Sequence, residues 1–188
     1  MRNLILALAL IAVAAPTLAD DYVIDTEGAH AFVQFRIKHL GYSWLVGRFN
    51  TFDGAFSYDP KDPTASTVTV NIDPASIDSN HAERDKHLRG EDFLYVKEYP
   101  RAGFVSTGFV ENGHGKALLK GDLTLRGVTR PIEIEVEHIG AGEDPWGGYR
   151  RGFAGSTMLT LKDFGIDYDL GPAAREVELF LSVEGIRQ

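Results

Sequence analysis

Histidine and charged residues are concentrated between residues 80 and 89, where the sequence reads NHAERDKHLR. On a helix, His81 and His87 are six residues apart and point in different directions, whereas Glu83 and His87, four apart, share one face. Two ligands are too few for a zinc site, which takes three or four protein ligands. Ion pairs along an exposed helix account for the same pattern, so we assign no metal ligands here.

Other signals for catalysis are weak. The sequence contains no Gly-x-Ser-x-Gly elbow, no glycine-rich phosphate loop after a strand and no cysteine. Asp163 and Asp167, near Phe164 and Ile166, carry carboxylates that could act as acid and base, but such residues are also typical of strand ends and turns. We therefore assign no catalytic residue and expect a protein that is not an enzyme.

Two aromatic segments are candidates for binding. Residues 142–151 combine two aromatic side chains, three glycines and two arginines, which fits either a binding lip or a long hairpin connection with Trp146 packed on the end of the domain. Trp44, between Tyr42 and Leu45, is expected in a second loop. Aromatic loops around an opening suit both an apolar ligand and membrane contact.

The amino terminus resembles a signal peptide. Arg2 precedes an apolar run over residues 4–15, which is shorter than the roughly 20 residues that span a bilayer, and Pro16 then precedes small residues. We expect cleavage after Ala19 and a periplasmic domain over residues 20–188. Its acidic balance, with a formal charge of −8 for the whole chain, argues against a nucleic-acid partner.

Most of the chain alternates apolar and polar residues, which predicts strands buried on one face. The alternation is clear over residues 31–38, 67–72, 132–137 and 176–184. An Asn112-Gly113 dipeptide predicts a hairpin turn after a strand over residues 101–110. The fold class is therefore all-β, and alternation alone leaves a sandwich and a closed barrel open.

One segment departs from this period. Residues 80–94 predict a short helix capped by Ser79 or Asn80, with a second turn capped by Asp92, and Pro100 closes the segment. The helix is expected as an insertion between strands.

Several stretches, in this order and spacing, resemble the YceI-like family of secreted polyisoprenoid-binding proteins. They are residues 29–35 (AHAFVQF), 38–41 (KHLG), 49–56 (FNTFDGAF), 80–89 (NHAERDKHLR), 92–94 (DFL), 99–100 (YP), 121–131 (GDLTLRGVTRP), 144–148 (DPWGG) and 161–166 (LKDFGI).

The resemblance implies a lipocalin-like, eight-stranded antiparallel β-barrel with a short helical insertion, spanning residues 20–188. It also implies a periplasmic carrier whose apolar pore holds a long isoprenoid lipid, such as a polyprenyl phosphate or a quinone-type chain. It supplies no catalytic residue and no cofactor.

For this pore we predict the side chains on the dry faces of the strands, namely Val33, Phe35, Ile37, Phe49, Phe56, Val70, Ile72, Leu123, Leu125, Ile134, Val136, Leu179 and Leu181. At its mouth, His81, Arg84 and Arg89 are candidates for contact with an anionic or quinone head group. Pairing of these cations with Glu83 and Asp85 is the alternative.

Three functions remain open on the sequence. The first is the isoprenoid carrier, the second a solidly packed barrel acting as an interaction or stress protein without lipid carriage, and the third an enzyme acting on a lipid or amide. Long strands and aromatic loops also leave transient membrane contact and a homodimer open.

Overall fold

Antiparallel strands that close into a barrel make up most of the computed structural model, which describes residues 19–188. The predicted signal peptide lies outside the described residues except for Ala19, and it stays a prediction. The strands are β1 (Asp20–Ile24), β2 (Phe32–His39), β3 (Ser43–Phe49), β4 (Phe52–Tyr58), β5 (Thr67–Ile72), β6 (Ile77–Asp78), β7 (Ala102–Gly113), β8 (Lys116–Leu125), β9 (Val128–Glu143), β10 (Tyr149–Thr160) and β11 (Glu176–Arg187).

These eleven segments form eight barrel strands, because three of the eight are interrupted. Strand β11 pairs with β2 through Val177 to Ser182 and with β1 through Gly185 to Arg187, so β1 and β2 are two halves of one strand. Strands β3 and β4 pair with β2 and β1 in the same way, and β6 and β5 pair with β3 and β4. The predicted eight-stranded antiparallel barrel is confirmed.

The helical insertion covers one side of this barrel. Strand β6 has only two residues and pairs with β3, and the chain then enters helix α1 (Ala82–Leu88) instead of continuing toward β7. Phe93 and Leu94, in the turns after the helix, are buried in the core. Within residues 19–188, no helix has the length and apolar character needed to cross a bilayer.

The start of the helix differs from the prediction. His81 is the N-cap, and its Nδ1 accepts a hydrogen bond from the Arg84 N–H at 3.2 Å. Asn80 cannot take that place because it has a left-handed φ of 61°, and the Ser79 hydroxyl is bonded to the Asp85 carboxylate at 2.5 Å. The predicted second helical turn at Asp92 is a series of turns without helix.

The turn of the β7–β8 hairpin lies two residues beyond the predicted Asn112-Gly113. Gly113 pairs with Lys116, so His114 and Gly115 form the loop, with φ values of 55° and 75°, as a two-residue type I′ turn requires. An irregularity in pairing after Glu111 extends the strand past the predicted turn. Likewise, Trp44 is not in a loop, because it pairs with Lys38 inside the β2–β3 hairpin.

Glycines make room for phenylalanine rings on the inner wall. A Cβ on Gly47 would lie 2.3 Å from Cζ of Phe35, and one on Gly121 would lie 2.2 Å from Cζ of Phe104. Each ring therefore packs directly against the glycine of a neighbouring strand, where a side chain would not fit.

Candidate functional site

An apolar cavity of about 640 Å³ opens at the end of the barrel next to α1. Its walls come from β2, β3, β8 and β11, and the insertion contributes Leu88, Phe93 and Leu94. Exposed residues such as Leu40 and Tyr168 mark its opening, which we call the mouth. The volume lies within the range of ordinary small-molecule sites.

A second, smaller apolar space of about 130 Å³ lies deeper in the barrel. Val33, Ile72, Leu123 and Leu179 line both spaces. The two chambers, upper and lower, therefore meet at the level of these four side chains. Together they extend the apolar interior from the mouth toward the far end of the barrel.

All thirteen apolar side chains predicted for the pore line one chamber or both. The upper chamber takes Phe35, Ile37, Phe49 and Leu125, the lower takes Phe56, Val70, Ile134, Val136 and Leu181, and the remaining four are the shared residues. Their alternation along the strands places them inside. Their contact with a ligand stays a prediction.

Part of the wall was not predicted. Leu161, Ile166, Leu170 and Ala174, from the connection between β10 and β11, line the upper chamber. This connection contains two 3-10 turns, Leu161–Phe164 and Pro172–Ala174, so its apolar residues follow no period of two. The only signal was the cluster of apolar residues itself.

The mouth carries two basic side chains, two histidines and one carboxylate. Lys38, His39, Arg84 and His87 line the upper chamber, with Asp169 as the one lining carboxylate among the described residues. The His87 ring nitrogen Nε2 lies 3.0 Å from a carboxylate oxygen of Asp92.

The three residues predicted to contact the head group take different positions in the structure. Arg84 lines the mouth. Neither His81 nor Arg89 is among the residues lining the cavity: His81 caps α1, and Arg89 donates to the Ile77 carbonyl at 3.2 Å, which ties the helix to β6. Their predicted contact with a head group is untested and gains no support from these positions.

A buried cation fills the far end of the barrel. Arg151 is 7% exposed; it donates to the Tyr22 hydroxyl at 3.3 Å and lies 4.5 Å from the centre of the Tyr58 ring. Burial, reinforced by the Arg151 charge, lowers the pKa of the neighbouring His138. Burial and the hydrogen bond to Glu111 raise the pKa of Tyr58. Aromatic faces thus stabilise a cation where the cavity ends.

A second charged cluster lies near the break between β1 and β2. Arg150 bridges the carboxylates of Asp25 and Glu184, and His30 lies 3.0 Å from Asp25. Hydrogen bonds from Arg150 first, then from His30 and the Gly28 N–H, lower the pKa of Asp25 to about 2. Although Asp25, His30 and Glu184 are close enough to share a metal ion, the guanidinium already bridges the two carboxylates.

The remaining candidates lie away from the cavity. Trp146 is 78% exposed, in the loop between β9 and β10, at the end of the barrel opposite the mouth. It is therefore neither a lip of the cavity nor packed on the barrel end. Asp163 and Asp167 are exposed, at the 3-10 turn after β10, and Asp167 lies 3.7 Å from Lys162; they are turn residues.

Comparisons with known proteins agree with this barrel. The sequence model of the YceI-like domain matches residues 22–185. A UPF0312 protein of Pseudomonas aeruginosa is 62% identical over 93% of this chain and 91% of its own length, and one of Shewanella putrefaciens is 54% identical over 100% of this chain and 99% of its own length.

Solved structures show the same fold. Burkholderia cenocepacia BcnA matches with a TM-score of 0.76 and 23% identity over 86% of this chain and 98% of its own. A Campylobacter jejuni YCEI protein matches with a TM-score of 0.72 and 26% identity over 81% and 90%. A polyisoprenoid binding domain from Saccharophagus degradans matches with a TM-score of 0.63 and 14% identity over 92% and 100%. From the domain match and these relatives together, the chain belongs to the YceI-like family.

Proposed function

We propose that the protein is a periplasmic carrier for a long isoprenoid lipid, whose hydrocarbon chain enters the upper chamber and extends into the lower one. The observation that carries this proposal is the two-chambered apolar interior, whose charged lining residues, among those described, all lie at the mouth. Burying each methylene of a chain gains about 0.8 kcal/mol, so ten of them gain roughly 8 kcal/mol before ordering costs.

A solved structure with the same fold supports this choice of ligand. The Saccharophagus degradans structure is described as a polyisoprenoid binding domain, and it shares the fold with this chain. The shape of the interior supports the same choice, because a linear, flexible chain can follow two chambers joined end to end. A compact ligand would fill only the upper chamber.

A binding role without catalysis fits the groups at the mouth. Lys38, Arg84 and Asp169 provide charge, but the described lining residues include no pairing of a nucleophile with a base. We therefore propose that the protein holds and releases its lipid without changing it.

Loading requires that the mouth meet a membrane that contains the lipid. Leu40, Tyr42 and Trp44 are exposed by 59%, 87% and 48% in the β2–β3 hairpin, beside the mouth. Such side chains partition into the interfacial region of a bilayer. We propose that this hairpin makes transient contact with the membrane surface while the lipid enters.

Organic extraction and mass spectrometry of the protein, purified from its own periplasm without denaturant, test the carrier function. We expect a stoichiometric isoprenoid lipid. Protein that carries no lipid, and that neither takes up an apolar dye nor binds added polyprenyl chains, would instead be a packed interaction module.

A further inference from the structure

Beside the mouth lies a polar depression of about 470 Å³, which we call the side groove. Its lining includes His39, Ser43, Trp44, Ser79, Asn80 and Arg84. His39, Leu45 and Arg84 line both the side groove and the upper chamber. A molecule with its chain in the upper chamber can therefore place its polar end in the side groove.

We propose that the side groove binds the anionic head group of the lipid, with Arg84 as its main partner, so that the protein selects phosphorylated over uncharged isoprenoids. This inference rests on the proposed carrier function and names the class of lipid that the carrier takes.

The charges around the side groove favour an anion. The chain has a formal charge of −8, and six lysines and arginines among the described residues form ion pairs, as Arg36 does with Glu178 at 2.7 Å. Within residues 19–188, however, Lys38, His39 and Arg84 have no carboxylate within 4 Å. Among residues 19–188, no acidic residue lines the side groove, so an anion entering it meets the Arg84 guanidinium and no lining carboxylate.

Hydrogen bonds to Ser79 hold Arg84 in a fixed orientation. Its Nε donates to the Ser79 hydroxyl at 2.7 Å and its Nη2 to the Ser79 carbonyl. Asp85, which is buried, accepts from the N–H and the hydroxyl of the same serine, at 2.8 and 2.5 Å. Asp85 thus orients Arg84 through Ser79 without forming an ion pair with it.

This arrangement leaves Arg84 a free donor. Its Nη1 has no hydrogen-bond partner among the described residues. A guanidinium with fixed orientation and an available N–H matches the geometry of phosphate oxygens. The Ser43 hydroxyl and the Asn80 amide, also on the groove lining, add neutral donors for the remaining oxygens.

The test compares two lipids with the same chain. We expect the mature protein to bind geranylgeranyl phosphate at least about tenfold more tightly than geranylgeraniol, with a difference that shrinks as salt is added, because exposed charges are screened. R84Q should bring the ratio close to one, because the phosphate should lose far more affinity than the alcohol does. R187Q is the matched control, since Arg187 lies at the opposite end and pairs with Asp20 at 3.5 Å.

A second variant separates head-group binding from support of the fold. Lys38 and His39 are exposed, so the double variant K38Q/H39Q should fold normally and lower the ratio severalfold. Equal affinity of the wild type for both lipids, or an equal loss for both lipids in R84Q, would overturn the inference and leave the carrier function standing. Failure of both lipids to bind the wild type would instead refute the carrier function.

Inorganic phosphate is the third probe. It should displace geranylgeranyl phosphate only weakly, because the chain supplies most of the affinity. Tight binding of inorganic phosphate alone, measured by calorimetry, would show a site for free anions and contradict the assignment to a lipid head group.

Discussion

Narrowing the passage between the two chambers should set a limit on chain length. Val33 is 5% exposed and lines both chambers, so V33F places a ring where they meet and closes the lower chamber to the ligand. At about 24 cal/mol per Å³ of apolar volume, a lower chamber of about 130 Å³ contributes roughly 3 kcal/mol when hydrocarbon fills it. We expect long isoprenoids to bind V33F more than about 100-fold more weakly than the wild type.

The assay is displacement of an apolar fluorescent dye by prenyl alcohols of increasing length, from geraniol through geranylgeraniol to solanesol. In the wild type, affinity should increase with length until both chambers are filled. In V33F it should level off once the upper chamber is full, and geraniol should bind both proteins alike. V105F is the control, because Val105 is 54% exposed and lines neither the two chambers nor the side groove.

The length dependence decides the outcome. If V33F, folded as shown by circular dichroism, binds every alcohol as the wild type does, the chain does not pass from the upper to the lower chamber. If it loses geraniol as strongly as solanesol, the substitution has damaged the upper chamber and the two-chamber reasoning is wrong.

Three further predictions concern stability and membrane contact. The pKa of Asp25 is lowered to about 2 from 3.8, so its stabilisation of about 2 kcal/mol is complete above pH about 4 and is lost as the pH falls through about 2. The unfolding free energy of D25N, measured with urea, should lack this loss at low pH. The same pH profile in D25N and the wild type would contradict the prediction. G121A should lower the unfolding free energy by at least about 2 kcal/mol, since its Cβ would collide with Phe104 and with the Val105 carbonyl; a Tm equal to that of the wild type would refute the close packing. Replacing the three exposed side chains of the β2–β3 hairpin together (L40S/Y42S/W44S) should reduce co-sedimentation with lipid vesicles severalfold, whereas W146S at the opposite end should not, and equal effects would refute contact through the mouth.

Residue alternation made the interior predictable. Each inward position, such as Phe35 in β2 or Leu179 in β11, is set by its neighbours two residues away, so local pattern determines which face is dry. Barrel closure was different. It depends on the pairing of β11 with both β1 and β2, a contact between distant segments that no local period encodes, and only the family resemblance supplied it.

The polar details were the least predictable part. Arg84, Ser79 and Asp85 form their network because Asn80 adopts a left-handed conformation and moves the helix cap to His81. The sequence predicted Ser79 or Asn80 as the cap, both of a residue type common at that position, and it did not indicate His81. Arg151 was not predicted, because an arginine near the end of a strand is usually exposed. Its burial depends on Tyr22 and Tyr58, which are distant in the sequence.

The closure of the barrel also determines the order in which it can form. Each strand from β8 to β11 pairs with the strand that precedes it in the chain, so this half of the sheet can grow by adding neighbours. The last contact joins Tyr22 to Arg187, and it requires almost the whole polypeptide to be present, at a high cost in loop entropy. The barrel can therefore close only when nearly the whole chain is available, and a partly synthesised chain cannot form the closed pore.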